Sequence, residues 1–212
     1  KVCIRRYYGV QEKMNKAFHT PVLKDDVMKF LITDSNGIYV DATLGYGGHT
    51  LGILDNTSQD SKVFGIDKDI DAIVYNKSRM ISEKSRLTLK HGCFSSLDEY
   101  AKEWNIYGSV SGILFDLGVS SVHLDNPERG FSFNKNADLD MRFDQSGGKT
   151  ASEYINTLSE VEIEDILRTY GQERYAKRIA KNIIKFRKNK NITTTFELVD
   201  IINKSVLINE KN

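Results

Sequence analysis

The stretch Tyr39-Val-Asp-Ala-Thr-Leu-Gly-Tyr-Gly-Gly-His-Thr50 decides how this chain is built. A short apolar strand runs into a turn with glycines at Gly45, Gly47 and Gly48, and the residues beyond can form a helix. Glycine lets a backbone turn sharply and approach a ligand closely, because no Cβ stands in the way. Twenty residues after Gly47, Val63-Phe-Gly-Ile-Asp67 reads as a second strand ending in a carboxylate. In a doubly wound α/β sheet, that spacing brings an acid to the two hydroxyls of a ribose. Gly45, Gly47, Gly48 and Asp67 are therefore the first candidate binding residues, for a ligand containing adenosine.

The order of the glycines bears on which ligand. A turn that seats a pyrophosphate on a helix N-terminus carries G-x-G-x-x-G. Here the order is G-x-G-G, with Asp41 four residues before the first glycine. An anion near such a turn repels a pyrophosphate and suits an ammonium or sulfonium group. S-adenosylmethionine carries both of those charges and no phosphate, and is the expected cofactor. Tight strand-to-helix turns also collect glycines for purely structural reasons, so this motif alone is a weak signal.

Outward from this stretch, Asp25 to Ile32 reads as a short helix, entered through the extended segment His19-Thr-Pro-Val-Leu23. Strands are predicted at Ile38–Thr43, Lys62–Ile66, Leu87–Lys90 and Val110–Phe115, with helices at His49–Leu54, Ile70–Ser82 and Leu97–Trp104 between them. Such alternation implies a parallel sheet with right-handed crossovers, a Rossmann-like α/β fold. Ligands of these sheets lie beyond the carboxyl ends of the strands. The ends at Asp41–Thr43, Asp67, His91–Phe94 and Asp116 would then line one crevice. After Asp116 comes a polar, turn-rich loop to Gly130, then Phe131-Ser-Phe133, whose aromatics suit either docking or stacking on a base. From Thr150 the pattern is helical, with capping boxes at Thr150–Glu153 and Ser159–Glu162 and a further start at Thr193–Glu197. Val110–Phe115 leaves an apolar outer edge with no later strand to cover it, which sheets avoid. Cover must come from another chain or from a later part of the same domain, and the latter is the expectation.

With 212 residues, 40% of them hydrophobic and 28% charged, the chain has the composition of a soluble globular protein. No apolar run approaches the ~20 residues of a membrane span. Cys3 and Cys93 are too few for a disulfide framework and lack metal-ligand spacing. No metal is expected, and a reducing compartment is: the cytoplasm, or the mitochondrial matrix in a eukaryote. The net charge of +1 hides an asymmetry, since residues 168–190 hold nine Lys or Arg and one acid, Glu173. At 100° per residue, Arg174, Lys177, Arg178, Lys181, Lys185 and Lys188 fall on one arc, opposite Ala176, Ile179, Ala180, Ile183 and Phe186. Charge runs are usually solvated helix faces. Six cations without interleaved acids repel one another, however, and a nucleic-acid backbone would relieve that.

Several segments resemble one family. They are His19-Thr-Pro-Val-Leu23, Asp41-Ala-Thr-Leu-Gly-Tyr-Gly-Gly-His-Thr50, Asp116-Leu-Gly-Val-Ser-Ser121, Glu128-Arg-Gly-Phe-Ser-Phe133, Leu139-Asp-Met-Arg142 and Tyr170-Gly-Gln-Glu-Arg174. In this order they are similar to the MraW/RsmH family of S-adenosylmethionine-dependent methyltransferases, which modify N4 of a cytosine in the decoding centre of small-subunit ribosomal RNA. The resemblance implies residues 1–17 as a leader or upstream extension, 18–119 as the cofactor-binding domain and 120–212 as a helical substrate-recognition insertion. It also implies that the family's remaining strands are missing here. By resemblance, Gly47, Gly48 and His49 would wrap the methionine part and Asp67 the ribose. Phe94 would meet the adenine, and Asp116 would sit at the reactive end as the catalytic candidate. His123 stands where relatives carry a cofactor-binding glutamine. His19 would order the loop beneath the cofactor. The implied partner is small-subunit ribosomal RNA or the small ribosomal subunit, through the cationic helix; a second copy of the chain is a further partner the sequence leaves open. Two other readings stay in view: a fragment that binds cofactor or RNA without turnover, and a nicotinamide dehydrogenase, against which Asp41 and the absent G-x-G-x-x-G argue.

Overall fold

A computed structural model describes residues 21–206; His19 and the segment 1–17 lie outside the described residues. The chain divides into two units, Lys1–Leu117 and Gly118–Asn212. In the first, α1 (Lys24–Leu31) precedes four strands, β1 (Ile38–Asp41), β2 (Lys62–Asp67), β3 (Leu87–His91) and β4 (Gly112–Leu114). Between them run α2 (Gly48–Asp55), α3 (Ile70–Arg79) and α4 (Leu97–Glu103). All strand pairs are parallel, in the order β3-β2-β1-β4. This is the Rossmann-like α/β arrangement, with β1 flanked on both sides.

Successive side chains of a strand point to opposite faces, so β1 feeds two cores at once. Tyr39 packs with Met28, Ile53, Leu54, Val63 and Met80, while Val40 packs with Phe64, Ile66, Ala101 and Ile106. Apolar residues on both faces are what a parallel sheet between helices requires. The pairing aligns Asp41 with Gly65 and Leu114, and Asp67 with His91, so the polar strand ends fall side by side.

β4 is shorter than the six residues read from the sequence. Its ladder continues through Ser111 N–H to the Ile38 carbonyl and Ala42 N–H to the Leu114 carbonyl. Among the described residues it pairs only with β1, and Ile113 and Phe115 are exposed. α3 also ends at Arg79, followed by a 3-10 turn at Ile81–Glu83 rather than a continuous helix to Ser82.

The second unit begins with α5 (Ser121–Asp125) and a 3-10 turn at Pro127–Arg129. It continues as α6 (Ala151–Thr157), α7 (Glu160–Thr169), α8 (Ala176–Arg187) and α9 (Thr195–Val206). Thr150 with Glu153, and Ser159 with Glu162, form reciprocal capping boxes. At α9, Glu197 accepts the Thr193 and Thr194 N–H groups while Thr194 Oγ1 accepts from Glu197 N–H. Leu139, Ile163, Ile179, Ala180, Ile183, Ile192 and Ile201 form its core. An antiparallel bridge, Asp138 to Thr194, ties the loop to the start of α9. Buried Arg129 donates to the Arg142 and Phe143 carbonyls, so the 128–133 and 139–142 segments are clasped together. No helix among the described residues is long and apolar enough to cross a membrane.

Candidate functional site

The tips of the four strands are tied to one another by hydrogen bonds. Asp67 accepts Gly45 N–H at 2.6 Å on one carboxylate oxygen and Asp69 N–H at 2.7 Å on the other. Asp116 N–H donates to Thr43 Oγ1 at 2.7 Å, and Gly92 N–H to the Asp67 carbonyl at 2.8 Å. Asp67 therefore fixes the glycine turn against β2, while Asp69, not Asp67, caps α3 by accepting Asp71 N–H.

Gly45 and Gly47 both take left-handed backbone, and no side chain caps α2. Behind the turn stands Asn76, fully buried, whose amide donates to the Gly45 and Ala72 carbonyls. Arg79 donates to the Tyr46 carbonyl. Pro21 lies directly against Gly48, which leaves no room for a side chain there. Asn76 and Arg79 were invisible to motif reading. Each acts through a bond to a residue 31 or 33 positions earlier in the chain, which no local pattern encodes.

Asp41 departs from the expected ligand-facing anion. It is 1% exposed and lies beneath the turn, accepting the Thr50 hydroxyl at 2.7 Å and Thr43 N–H at 3.2 Å. Burial is the chief cause of a pKa pushed up to about 6; the two hydrogen bonds oppose it, and Asp67 and Asp116 add to it. A group favoured as the neutral acid in the fold contributes most stability below its unfolded value of 3.8 and loses it as pH rises through 6. The loss amounts to about 3 kcal/mol at 1.36 kcal/mol per unit. Asp41→Asn should gain stability relative to the unaltered chain by about that amount between pH 4 and pH 7. Urea midpoints of the two proteins across that range check it, and parallel curves would show that Asp41 does not carry the titration.

His49, on α2, is 7% exposed, and its Nε2 lies 3.6 Å from Asp116 Oδ2. Burial lowers the imidazole pKa, against the pull of the Asp116 carboxylate. The ring is therefore uncharged at neutral pH, and 3.6 Å is too long for a hydrogen bond. Its Nδ1 is buried without a partner among the described residues. The Asp116 side chain is about half exposed, at 52%. Phe94 follows β3 and meets Phe115 after β4 at a centroid distance of 5.6 Å. Thus Gly45, Gly47, Asp67, Phe94 and Asp116 lie at or just beyond strand ends of the first unit, and Gly48 and His49 open α2.

His123 belongs to the second unit. It is buried, and its ring packs on Phe131 and Phe143 at 5.4 and 5.0 Å. Nδ1 accepts Ser120 N–H, closing a capping box with the Ser120 side chain. Phe131 docks in this aromatic cluster, whereas Phe133 is exposed.

The cationic segment is more finely divided than a single 15-residue helix. α8 spans Ala176–Arg187, so Arg174 precedes it and Lys188 caps its end. Ala176, Ile179, Ala180 and Ile183 are buried in the core of the unit. Arg174, Lys177, Lys181, Lys185 and Lys188 are exposed and Arg178 is half-buried; among the described residues none of the six has an acidic partner within 4.0 Å. Arg174 lies over the Tyr175 ring at 4.7 Å. Arg187 is turned inward, donating to the Ile155 carbonyl, and Lys190 pairs with Glu197.

Residues 16–212 match the MraW methylase family. The protein named Ribosomal RNA small subunit methyltransferase H from Caldicellulosiruptor saccharolyticus is 48% identical over 188 residues, covering 89% of this chain and 61% of that one. Its namesake from Legionella pneumophila (strain Corby) is 44% identical over 189 residues, with the same coverage. The chain thus spans 61% of the length of these relatives. A solved rRNA methylase from Streptococcus thermophilus is 23% identical, with a TM-score of 0.34 over 65% of this chain and 78% of that one, too loose a likeness to add weight.

Proposed function

Because this chain belongs to the MraW methylase family, we propose that it transfers a methyl group from S-adenosylmethionine to N4 of a cytosine in the decoding region of small-subunit ribosomal RNA. The observation that carries the reading is the tied cluster of strand ends: a carboxylate at Asp67, a tight glycine turn, and Asp116 beside His49. The residues suit the cofactor. Asp67 presents a carboxylate, the kind of acceptor a ribose diol needs. His49 Nδ1 is a buried polar atom in need of a partner. Asp67 and Asp116 together favour a cationic ligand over a phosphate.

When bound, S-adenosylmethionine supplies an electrophilic methyl on a sulfonium. The chain's contribution is alignment, which supplies up to roughly 7–11 kcal/mol of a barrier in the most favourable cases. Asp116 is the catalytic residue of this reading. Its N–H is anchored on Thr43, and its half-exposed carboxylate can accept a hydrogen bond from the cytosine amine and orient the nitrogen. His49, uncharged, buttresses it without competing as a cation. The second unit, from 120 on, serves as the RNA-recognition part. Lys177, Lys181, Lys185 and Lys188, with Arg174 and Arg178, hold phosphates and set position, not base identity. The base is selected by a pocket into which it is splayed or flipped.

Calorimetry with S-adenosylmethionine tests the cofactor, and N4-methylcytosine analysis of small-subunit RNA tests the transfer. Asp67→Asn should weaken binding by about tenfold, the scale of one lost charge-assisted hydrogen bond. Unchanged affinity would remove Asp67 from the site. Cofactor binding without methylated product would favour a chain that binds but does not turn over.

A further inference from the structure

Tyr170-Gly-Gln-Glu-Arg174 joins α7 to α8, and the turn itself uses only part of this segment. Gly171 backs onto α7 so closely that a Cβ would stand 2.7 Å from the Leu167 carbonyl oxygen. Gln172 takes a left-handed conformation, φ +49, that residues other than glycine seldom adopt. Glu173 N–H donates to the Leu167 carbonyl at 3.0 Å, and the Glu173 carboxylate accepts Tyr175 N–H at 2.7 Å. Those bonds close the reversal between the two helices. The side chains of Tyr170 and Arg174 take no part in it. Tyr170 is 82% exposed, more than any other large apolar or aromatic side chain among the described residues, and its ring and hydroxyl have no partner there. Arg174 lies over the Tyr175 ring and opens the run of cations that ends at Lys188. A strained turn thus holds a bare phenol in water at the head of a stripe of cations that lack acidic partners.

We propose that Tyr170 stacks on an unpaired base of the RNA whose phosphates lie along the stripe. The inference rests on the RNA reading above and deepens it, from a charged face that any polyanion would satisfy to a site that selects single-stranded RNA. A cationic track joined to an exposed aromatic ring is suited to a single strand: the cations follow the backbone and the ring takes the face of a base. Inside a duplex both faces of a base are covered by its neighbours, so the ring favours loops and unpaired ends. Arg174, four residues along the same turn, is the cation of the stripe nearest to Tyr170 in sequence and supplies the adjoining phosphate contact. A neutral ring releases no counterions, which separates its contribution from that of the lysines. By the usual worth of base–aromatic stacking, losing the ring weakens binding roughly 5- to 100-fold.

The test is filter binding of the full chain, across a salt series, to a small-subunit RNA hairpin with an unpaired loop and to a fully paired RNA duplex of the same length. Tyr170→Ala should bind the hairpin about tenfold more weakly, bind the duplex as before, and keep the slope of log K against log salt. Tyr170→Phe, which keeps the ring and removes the hydroxyl, should match the unaltered chain. Should Tyr170→Ala fold poorly, Tyr170→Trp gives a direct optical readout against a background of one native tryptophan, Trp104, and the hairpin should quench the added emission. Full affinity of Tyr170→Ala for the hairpin, an equal loss on the duplex, a flattened salt slope, a loss in Tyr170→Phe as large as in Tyr170→Ala, or added emission that ignores the hairpin would each overturn the stacking site. Weaker binding by Lys177→Gln combined with Lys181→Gln would in that case leave the RNA reading standing. No RNA binding by the unaltered chain would overturn both.

Discussion

Gly47→Ala is expected to lower the stability of the first unit by roughly 3–5 kcal/mol and to abolish measurable S-adenosylmethionine binding. Gly47 sits at φ +77, where an L side chain costs about 1–2 kcal/mol. A Cβ there would also overlap Asn76 Oδ1 and Met80 Cε. Asn76 cannot step aside cheaply, because it is fully buried and its amide holds the Gly45 and Ala72 carbonyls, bonds worth about 1 kcal/mol each. Gly45→Ala separates the two causes. At φ +49 the nearest atom to its Cβ is the Thr43 carbonyl at 3.9 Å, so only the conformational cost of about 1–2 kcal/mol applies. Denaturant unfolding of both variants checks the difference; equal losses would mean that the packing of Asn76 behind the turn contributes nothing.

Changing Lys177, Lys181, Lys185 and Lys188 together to Gln should reduce affinity for a small-subunit RNA fragment by two orders of magnitude near physiological salt. Each phosphate neutralised on a single strand contributes about 0.7 to the slope of log K against log salt, so four lost contacts flatten the slope by about 3. Gln matches Lys closely in helix propensity, and the buried face of α8 is untouched, so the fold should be unaffected. Lys190→Gln is the control, since Lys190 is already paired with Glu197. Filter binding across a salt series reads both effects. A slope that stays the same in the fourfold variant would return the stripe to the status of a solvated surface.

What could be read in advance followed periodicity and local chemistry. β1 and β2, the glycine turn and the three helix starts after Thr150 were legible because each is a pattern within a few residues. The place of Asp67 at the end of β2 was legible because strand–turn–helix spacing is nearly constant in this architecture. Asp41 was misjudged: its position before the turn was plain, but only the fold shows Thr50 and Thr43 closing over it, which makes it a buried acid with a raised pKa. The limits of β4 were overestimated because Val110 and Phe115 are apolar for reasons other than strand pairing: Val110 packs against the α4 side and Phe115 meets Phe94. Phe131 and Phe133, two residues apart and alike in sequence, part company in space, and nothing local decides which of them docks.

The reciprocal boxes at Thr150, Ser159 and Thr194 close between residues only three apart, whereas Ala137 meets Thr195 across 58 positions. Contacts that short need almost no loop closure and settle on the sub-microsecond scale of helix formation. The helical unit can thus have its start points in place before the chain has searched for its distant joint. Those separations set the expectation for its refolding: local starts ahead of the clasp between 137 and 195.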